Sequence, residues 1–249
     1  MEKRFQGRTA LVTGAASGMG LVASRMFAQE GAKVYIVDID EERANAAAKE
    51  ICAEGNHAVA CICDVRDYAQ IVAVVEQCIQ EENAIDIIVN FAGGFPARMC
   101  GLTDREFIHT PVEVLDWGIA VNFRAPMLFA RAAIEHMMRR KRGVIINIGS
   151  IDGETGGAVD YAAEKSGITS GLTKALARIG APYGVRCCGV TPGPVLTRAN
   201  MSSMKTALGR AAAPEEIVKL VLYLCSDDAD FITGTNYVID GGRALLSNC

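Results

Sequence analysis

Tyr161 and Lys165 stand four residues apart in Tyr161-Ala-Ala-Glu-Lys165, a short way after Ser150. On a helix, residues i and i+4 share one face. A phenol and an ammonium would then line one side of a cleft. A free phenol has a pKa of about 10, too high for a good general base near neutrality. A neighbouring positive charge favours the phenolate and lowers that pKa. A hydroxyl such as that of Ser150 would hold a substrate oxygen between itself and Tyr161. These groups suit moving a proton on or off an alcohol. The same spacing is also that of an ordinary exposed helix pair, so the surrounding elements must decide.

Strand-like and helix-like patterns alternate along the chain. Apolar runs at 9–13, 33–37, 58–63, 85–89, 144–148, 185–190 and 236–239 read as strands. Helical periodicity covers about 18–30, 41–53, 68–80, 112–140, 160–179 and 214–225. Strands that are apolar throughout indicate a parallel sheet covered on both faces. Repeated βα units predict an α/β fold: a doubly wound, seven-stranded parallel sheet flanked by helices. No linker, repeat or composition break interrupts residues 1–249, which read as one domain. In such folds ligands bind at the carboxyl ends of the strands.

The first strand runs into Thr13-Gly14-Ala-Ala-Ser17-Gly18-Met19-Gly20 and then a helix. Glycines allow a tight turn and close approach to a ligand. The helix N-terminus offers unpaired N–H groups to a pyrophosphate. The spacing is G-x-x-x-G-x-G, and the strand–loop–helix–strand context gives it weight. Asp38 ends the second strand, twenty residues after Gly18. A carboxylate there would accept bonds from both ribose hydroxyls of NAD and repel the 2′-phosphate of NADP. No Arg or Lys stands in the loop or directly after Asp38 to offset that repulsion, so NAD is expected. The competing reading is that Asp38 caps the next helix. Asp64, ending the third strand, would meet the adenine amino group or else take an N-cap or turn role. Asn90-Phe-Ala-Gly93 ends the fourth strand, where small residues let a flat ligand lie against the backbone.

With these positions assembled, the chain resembles the short-chain dehydrogenase/reductase family, in its compact branch of one Rossmann-like domain. The resemblance covers nearly the whole chain. It rests on Thr13–Gly20, Asp64, Asn90–Gly93, Asn122, Ser150, Tyr161 and Lys165, then Pro192-Gly193 with Thr197, and Ile232-Thr-Gly234 through Asp240-Gly-Gly242. It implies that Tyr161 is the general acid or base and that Ser150 holds the substrate oxygen. Lys165 would bind the nicotinamide ribose and lower the Tyr161 pKa, and Asn122 would keep a water in a proton relay. Val195, by its backbone, and Thr197 would hold the nicotinamide carboxamide. The implied cofactor set is Gly14, Ser17, Gly18, Met19, Gly20, Asp38, Asp64, Val65, Asn90, Gly93, Tyr161, Lys165, Pro192, Gly193, Val195 and Thr197. Pro126, four residues after Asn122, has no N–H for the Asn122 carbonyl and crowds it, which would free that carbonyl for the water. The resemblance also implies a homotetramer (or homodimer), with the helices at 112–140 and 160–179 packing across one interface.

Three departures from the family pattern stand out. Phe91 replaces the usual second Asn of N-N-A-G. Ser150 and Tyr161 are eleven residues apart, closer than is common, with a glycine-rich loop expected at 151–160. The segment 94–121 is long and carries Arg98, Cys100, His109 and Trp117. Arg98 or His109 would bind an anionic or polar substrate group if they face the site. Otherwise both are solvent-exposed loop residues. The segment 201–209 is expected to form a mobile lid, its Met201 and Met204 suited to an irregular apolar ligand or equally to packing in the core.

A net charge of −4 leaves no electrostatic footprint for nucleic acid. The one basic run, Arg139 to Arg142, suits a solvated helix C-terminus. No apolar stretch reaches transmembrane length, and the N-terminus lacks a signal-peptide core, so a cytoplasmic location is expected. The nine cysteines form no C-x-x-C and have no suitably spaced histidine for zinc; buried free thiols are expected and no metal. The resulting expectation is an NAD(H)-dependent oxidoreductase acting on a secondary alcohol or ketone. The alternatives are a non-catalytic NAD(H)-sensing or scaffold protein on the same fold and, less fitting, an isomerase or dehydratase that retains its NAD.

Overall fold

The computed structural model describes residues 3–104 and 106–246; Cys249 lies outside the described residues. Seven strands form one parallel sheet. They are β1 (Thr9–Thr13), β2 (Lys33–Asp38), β3 (His57–Ile62), β4 (Ile87–Asn90), β5 (Gly143–Ile148), β6 (Val185–Pro192) and β7 (Asn236–Ile239). Their order is β3-β2-β1-β4-β5-β6-β7, so the winding reverses between β1 and β4. A parallel sheet opens a crevice beyond the strand ends at such a reversal.

The strand runs are apolar throughout because both faces are covered. Ala10, Val12, Val34, Ile36, Ile87, Val89, Ile146 and Val190 pack on one side with Phe27, Ile51 and Val221. Those three come from α1 (Gly18–Gln29), α2 (Glu41–Ala53) and α10 (Pro214–Cys225). Leu11, Tyr35, Val37, Ile88, Ile145 and Cys187 point the other way and meet Val75, Phe129 and Leu176. These belong to α3 (Tyr68–Glu82), α6 (Ala125–Arg140) and α9 (Thr173–Gly180). Cys61, Cys63, Cys78, Cys187, Cys188 and Cys225 are buried free thiols, whereas Cys52 and Cys100 are exposed.

The regions on either side of the fourth and fifth strands depart from the expected pattern. The long segment after β4 contains a short helix, α4 (Pro96–Met99), and a 3-10 turn at Phe107–His109. The expected loop at 151–160 is largely helical: α7 (Ile151–Thr155) is followed closely by α8 (Val159–Ser166). Ser150 caps α7 by accepting the Asp152 N–H at 3.3 Å, and Gly156 ends it in the left-handed region. A capping hydroxyl and a left-handed glycine make so short a helix tenable. Sequence periodicity missed it because five residues show no recurring apolar face.

The two long helices are also not uniform. Between α5 (Val112–Gly118) and α6 lies a π-helical segment, Ile119–Arg124, and between α8 and α9 another, Gly167–Leu172. Pro126 sits in the first turn of α6, where its missing N–H disturbs the i→i−4 ladder. In the second case Thr169 Oγ1 donates to the Lys165 carbonyl at 3.0 Å and Thr173 Oγ1 to the Ile168 carbonyl at 2.8 Å. Such back-bonding competes with the regular ladder. Asn122 lies inside the first widened turn, and Lys165 just before the second.

Candidate active site

The residues that end or follow the strands, from Gly14 after β1 to Pro192 in β6, lie at the carboxyl edge of the sheet. Gly14 follows β1 with φ +62°, and a Cβ there would stand 2.7 Å from the Ala92 nitrogen. Only glycine allows that turn against the strand beside it. Ser17 precedes α1 without a side-chain cap bond, and Gly18 faces Thr197. Met19 packs on the core and Gly20 is buried. The loop therefore presents backbone and a helix N-terminus to the crevice, a fit for a pyrophosphate.

The acidic residues resolve their competing readings here. Asp40, not Asp38, caps α2 by accepting the Arg43 N–H at 3.0 Å. Asp38 Oδ2 accepts the Ala16 N–H at 2.9 Å and Oδ1 the Asp40 N–H at 3.1 Å. The carboxylate is thus held at the glycine loop, with acceptor capacity left over for hydroxyl donors. Asp67, not Asp64, caps α3, accepting from Ala69 and Gln70. Asp64 takes a turn role: its Oδ1 accepts the Arg66 N–H at 2.9 Å, and the Arg66 guanidinium paired with it holds its carboxyl below the ordinary value. Val65 beside it is buried in the core. An adenine amino group would share Asp64 with Arg66.

Asn90 ends β4 and donates to Asn147 Oδ1 at 2.9 Å, tying two central strands together; its own Oδ1 has no partner. Gly93 lies where the catalytic candidates converge: a Cβ built on it would be 2.4 Å from Asn122 Oδ1 and 3.4 Å from Lys165 Nζ. Pro192 ends β6, Gly193 packs against Asp240, and Val195 is buried, with Thr197 turning back on it.

Tyr161, Lys165 and Ser150 do converge. Lys165 Nζ lies 5.6 Å from the centre of the Tyr161 ring and donates to the Ile148 carbonyl at 3.0 Å. The Ser150 hydroxyl is close enough to favour the ionised form of the phenol. The surroundings of Tyr161 nevertheless act in the other direction from a positive neighbour. Burial pushes the phenol up to about 12, and the charge of Asp152 adds to it. The Lys165 ammonium is turned to the Ile148 carbonyl, and burial lowers its own pKa to about 8. Desolvation outweighs the neighbouring charge that i,i+4 spacing suggests.

Four further side chains reach the site. Phe95 meets the Tyr161 ring edge-on at 6.0 Å. Asp152 accepts from Ser150 Oγ at 3.4 Å and is itself shifted upward, chiefly by burial. Arg98 is half-buried, and its positive charge favours the Tyr161 phenolate. Glu164 is buried, accepts from Asn122 Nδ2 at 2.7 Å and is raised to about 7, mainly by burial. The sequence hinted at Asp152 and Glu164 only by their adjacency to Ser150 and Lys165. The structure separates Arg98 from His109, which is exposed and lies 2.8 Å from Asp104. Trp117, within α5, packs against the core. Within 201–209 the chain begins in a 3-10 turn, Ala199–Ser203, where Arg198 donates to the Met201 sulfur.

A doubly wound sheet with a glycine cradle and an acidic strand end at its reversal point is the architecture of dinucleotide-binding α/β proteins. The chain belongs to the short-chain dehydrogenase/reductase family. A family model described as "Enoyl-(Acyl carrier protein) reductase" matches residues 14–244. A 3-oxoacyl-[acyl-carrier-protein] reductase of Thermotoga maritima is 32% identical over 255 residues, spanning 97% of this chain and 100% of the relative. A cyclopentanol dehydrogenase of a Comamonas species is 35% identical over 252 residues, spanning 96% of this chain and 98% of the relative. A solved double mutant of a Serratia marcescens short-chain dehydrogenase/reductase superposes with a TM-score of 0.86 at 33% identity, covering 97% of this chain and 99% of that one. The activity at this level is that of an oxidoreductase, and the family uses a nicotinamide cofactor. Among the described residues no helix is long and apolar enough to cross a membrane.

Proposed function

We propose that the chain is an NAD(H)-dependent dehydrogenase or reductase that interconverts a secondary alcohol and a ketone. The observation that carries this reading is the convergence of Ser150, Tyr161, Lys165 and Asn122 beside the glycine cradle. The nicotinamide supplies the hydride donor or acceptor. Tyr161 moves the hydroxyl proton, and Ser150 holds the substrate oxygen beside it. Lys165 holds the cofactor ribose, and Asn122 supports the proton path behind it. The residues Gly14, Ser17, Gly18, Met19 and Gly20 would take the pyrophosphate, Asp38 the adenosine ribose, and Asp64 with Val65 the adenine. Asn90, Gly93, Pro192, Gly193, Val195 and Thr197 would wall the nicotinamide half.

Asp38 is the basis for NAD over NADP. Its carboxylate sits at the loop, with both oxygens oriented by backbone N–H groups. Asp38→Asn is expected to reduce the preference for NAD over NADP about 10–100-fold, the worth of one charged hydrogen bond. The test is a panel of polyols, hydroxysteroids, hydroxyacyl thioesters and cyclic diols offered with NAD and separately with NADP. Turnover with NADP alone would remove the Asp38 argument and leave the proton-transfer argument standing. Tight NADH binding with no turnover on any alcohol would favour the sensor alternative.

A homotetramer and a cytoplasmic site of action complete the reading. The buried free thiols suit a reducing compartment. Phe107, Leu115, Ile119, Phe123, Val159 and Ala163 line an apolar groove of about 420 Å³ between the two long helices. Phe107, Ile119 and Val159 are 48%, 49% and 56% exposed there, more apolar surface than a free face needs. Sedimentation velocity at micromolar concentration is expected to give a multimer. A monomer there would overturn the assembly.

A further inference from the structure

Glu164 stands between Tyr161 and Lys165 in the chain, yet the proton and hydride chemistry above makes no use of it. It is 5% exposed, and its Oε1 has no hydrogen-bond partner. A buried carboxylate with an unsatisfied oxygen opposes folding, and an apolar side chain of similar size would not. Stability therefore does not account for its presence.

The contacts of its other oxygen do. Where α8 crosses the end of α5, a Cβ on Gly118 would lie 2.1 Å from Glu164 Oε1, so α5 leaves room for the carboxyl group. On the far side, Oε2 accepts from Asn122 Nδ2 at 2.7 Å, within the range of charge-assisted bonds. Asn122 is fully buried and clamps one residue of the opposite segment from both ends. Its Oδ1 accepts the Gly94 N–H and its Nδ2 donates to the Gly94 carbonyl, each at 2.9 Å. Gly93 and Gly94 have φ of +152° and +156°, so their own conformational preferences do little to fix them. Asn122 holds that backbone next to Lys165 Nζ, and the remaining proton of the Asn122 amide is held by Glu164.

We propose that Glu164 is a positioning residue: through the Asn122 amide it fixes the Gly93–Gly94 backbone beside Lys165. The proposal rests on the dehydrogenase reading of Asn122 and Lys165, and its test has a readout that needs no turnover. Glu164→Leu removes the acceptor and fills the space. Glu164→Gln keeps an acceptor for Asn122 Nδ2. Asn122→Ala supplies the reference loss. For each full-length variant we would measure Tm, amide hydrogen exchange at Gly94, and kcat and KM with the alcohol found active.

Glu164→Leu is expected to keep or raise Tm, to speed Gly94 exchange about 10-fold or more, and to lower kcat about 10–100-fold with a smaller change in KM. Glu164→Gln is expected to recover most of both losses. Asn122→Ala is expected to abolish the Gly94 protection, and adding Glu164→Leu to it should cause little further loss. Unchanged Gly94 exchange in Glu164→Leu would overturn the proposal. So would a fall in Tm and kcat that Glu164→Gln shares in full, because the carboxyl group would then be structural. If the wild-type protein turns over none of the alcohols, the dehydrogenase reading fails on that result alone, while Gly94 exchange still decides the role of Glu164.

Discussion

Replacing Tyr161 with phenylalanine is expected to lower kcat by about 10²–10⁴-fold, the usual contribution of a positioned acid or base. The ring would keep its edge contact with Phe95 and its place beside the Lys165 ammonium. Fold and NADH binding should therefore survive, and the loss should appear in kcat. The pH dependence carries the sign of the argument. The phenol is pushed up to about 12 by burial and by the Asp152 charge, so it is protonated at neutrality. That form donates a proton and suits carbonyl reduction, whereas alcohol oxidation needs the phenolate. Oxidation should accelerate as pH rises towards the apparent pKa, and reduction should weaken over the same range. Asp152→Asn removes a charge that disfavours the phenolate, so the limb of the kcat/KM profile should move to lower pH in both directions. A profile that does not move would exclude Asp152 as an electrostatic partner of Tyr161.

Arg186→Met is expected to destabilise the fold by about 3–5 kcal/mol, through the loss of donors to buried carbonyls. Arg186 begins near the amino end of β6 and is 8% exposed. Its Nη1 donates to the carbonyls of Leu224 and Ile232 at 2.8 and 3.2 Å, and Nη2 to that of Ser226 at 3.1 Å. Two of those carbonyls flank the C-terminus of α10, where the helix leaves its acceptors unpaired and its dipole favours a cation. The carboxylate of Asp230 is 3.9 Å away and largely exposed, so the carbonyls carry most of the effect. Methionine keeps much of the packing and removes every donor. For a chain of this length the change should lower Tm by roughly 10 °C. Arg186 lies at the strand end opposite the candidate site. The kcat of the folded fraction should therefore match the wild type, which thermal melts and kinetics on the same sample would check. A loss of kcat without a loss of Tm would contradict this.

The elements were legible in the sequence wherever one local pattern repeats. Apolar runs such as 9–13 and 144–148 gave strands because both of their faces meet helices. The short helix at Ile151–Thr155 gave no periodicity and was expected as loop; its cap contact with Ser150 is what makes it. The π-helical turns at Ile119–Arg124 and Gly167–Leu172 were equally hidden, since they widen helices without changing which residues are apolar.

The sequence by itself determined which residue types end each strand, and with a parallel sheet that alone brings Gly14, Asp38, Asn90, Ser150 and Pro192 to one edge. It also determined the i,i+4 relation of Tyr161 to Lys165, because helical geometry is local. Only the tertiary structure decided that Asp40 rather than Asp38 caps α2, and that the charge of Arg98 acts on the phenol while His109 lies exposed against Asp104. It also decided that burial raises Tyr161 where the neighbouring lysine suggested the reverse. Glu164 and Asn122 are 42 residues apart, and Asn122 and Gly94 are 28 apart. Such contacts, and the desolvation around them, depend on how helices cross. Crossing geometry is set by the packing of whole elements and leaves no trace in the spacing of any one of them.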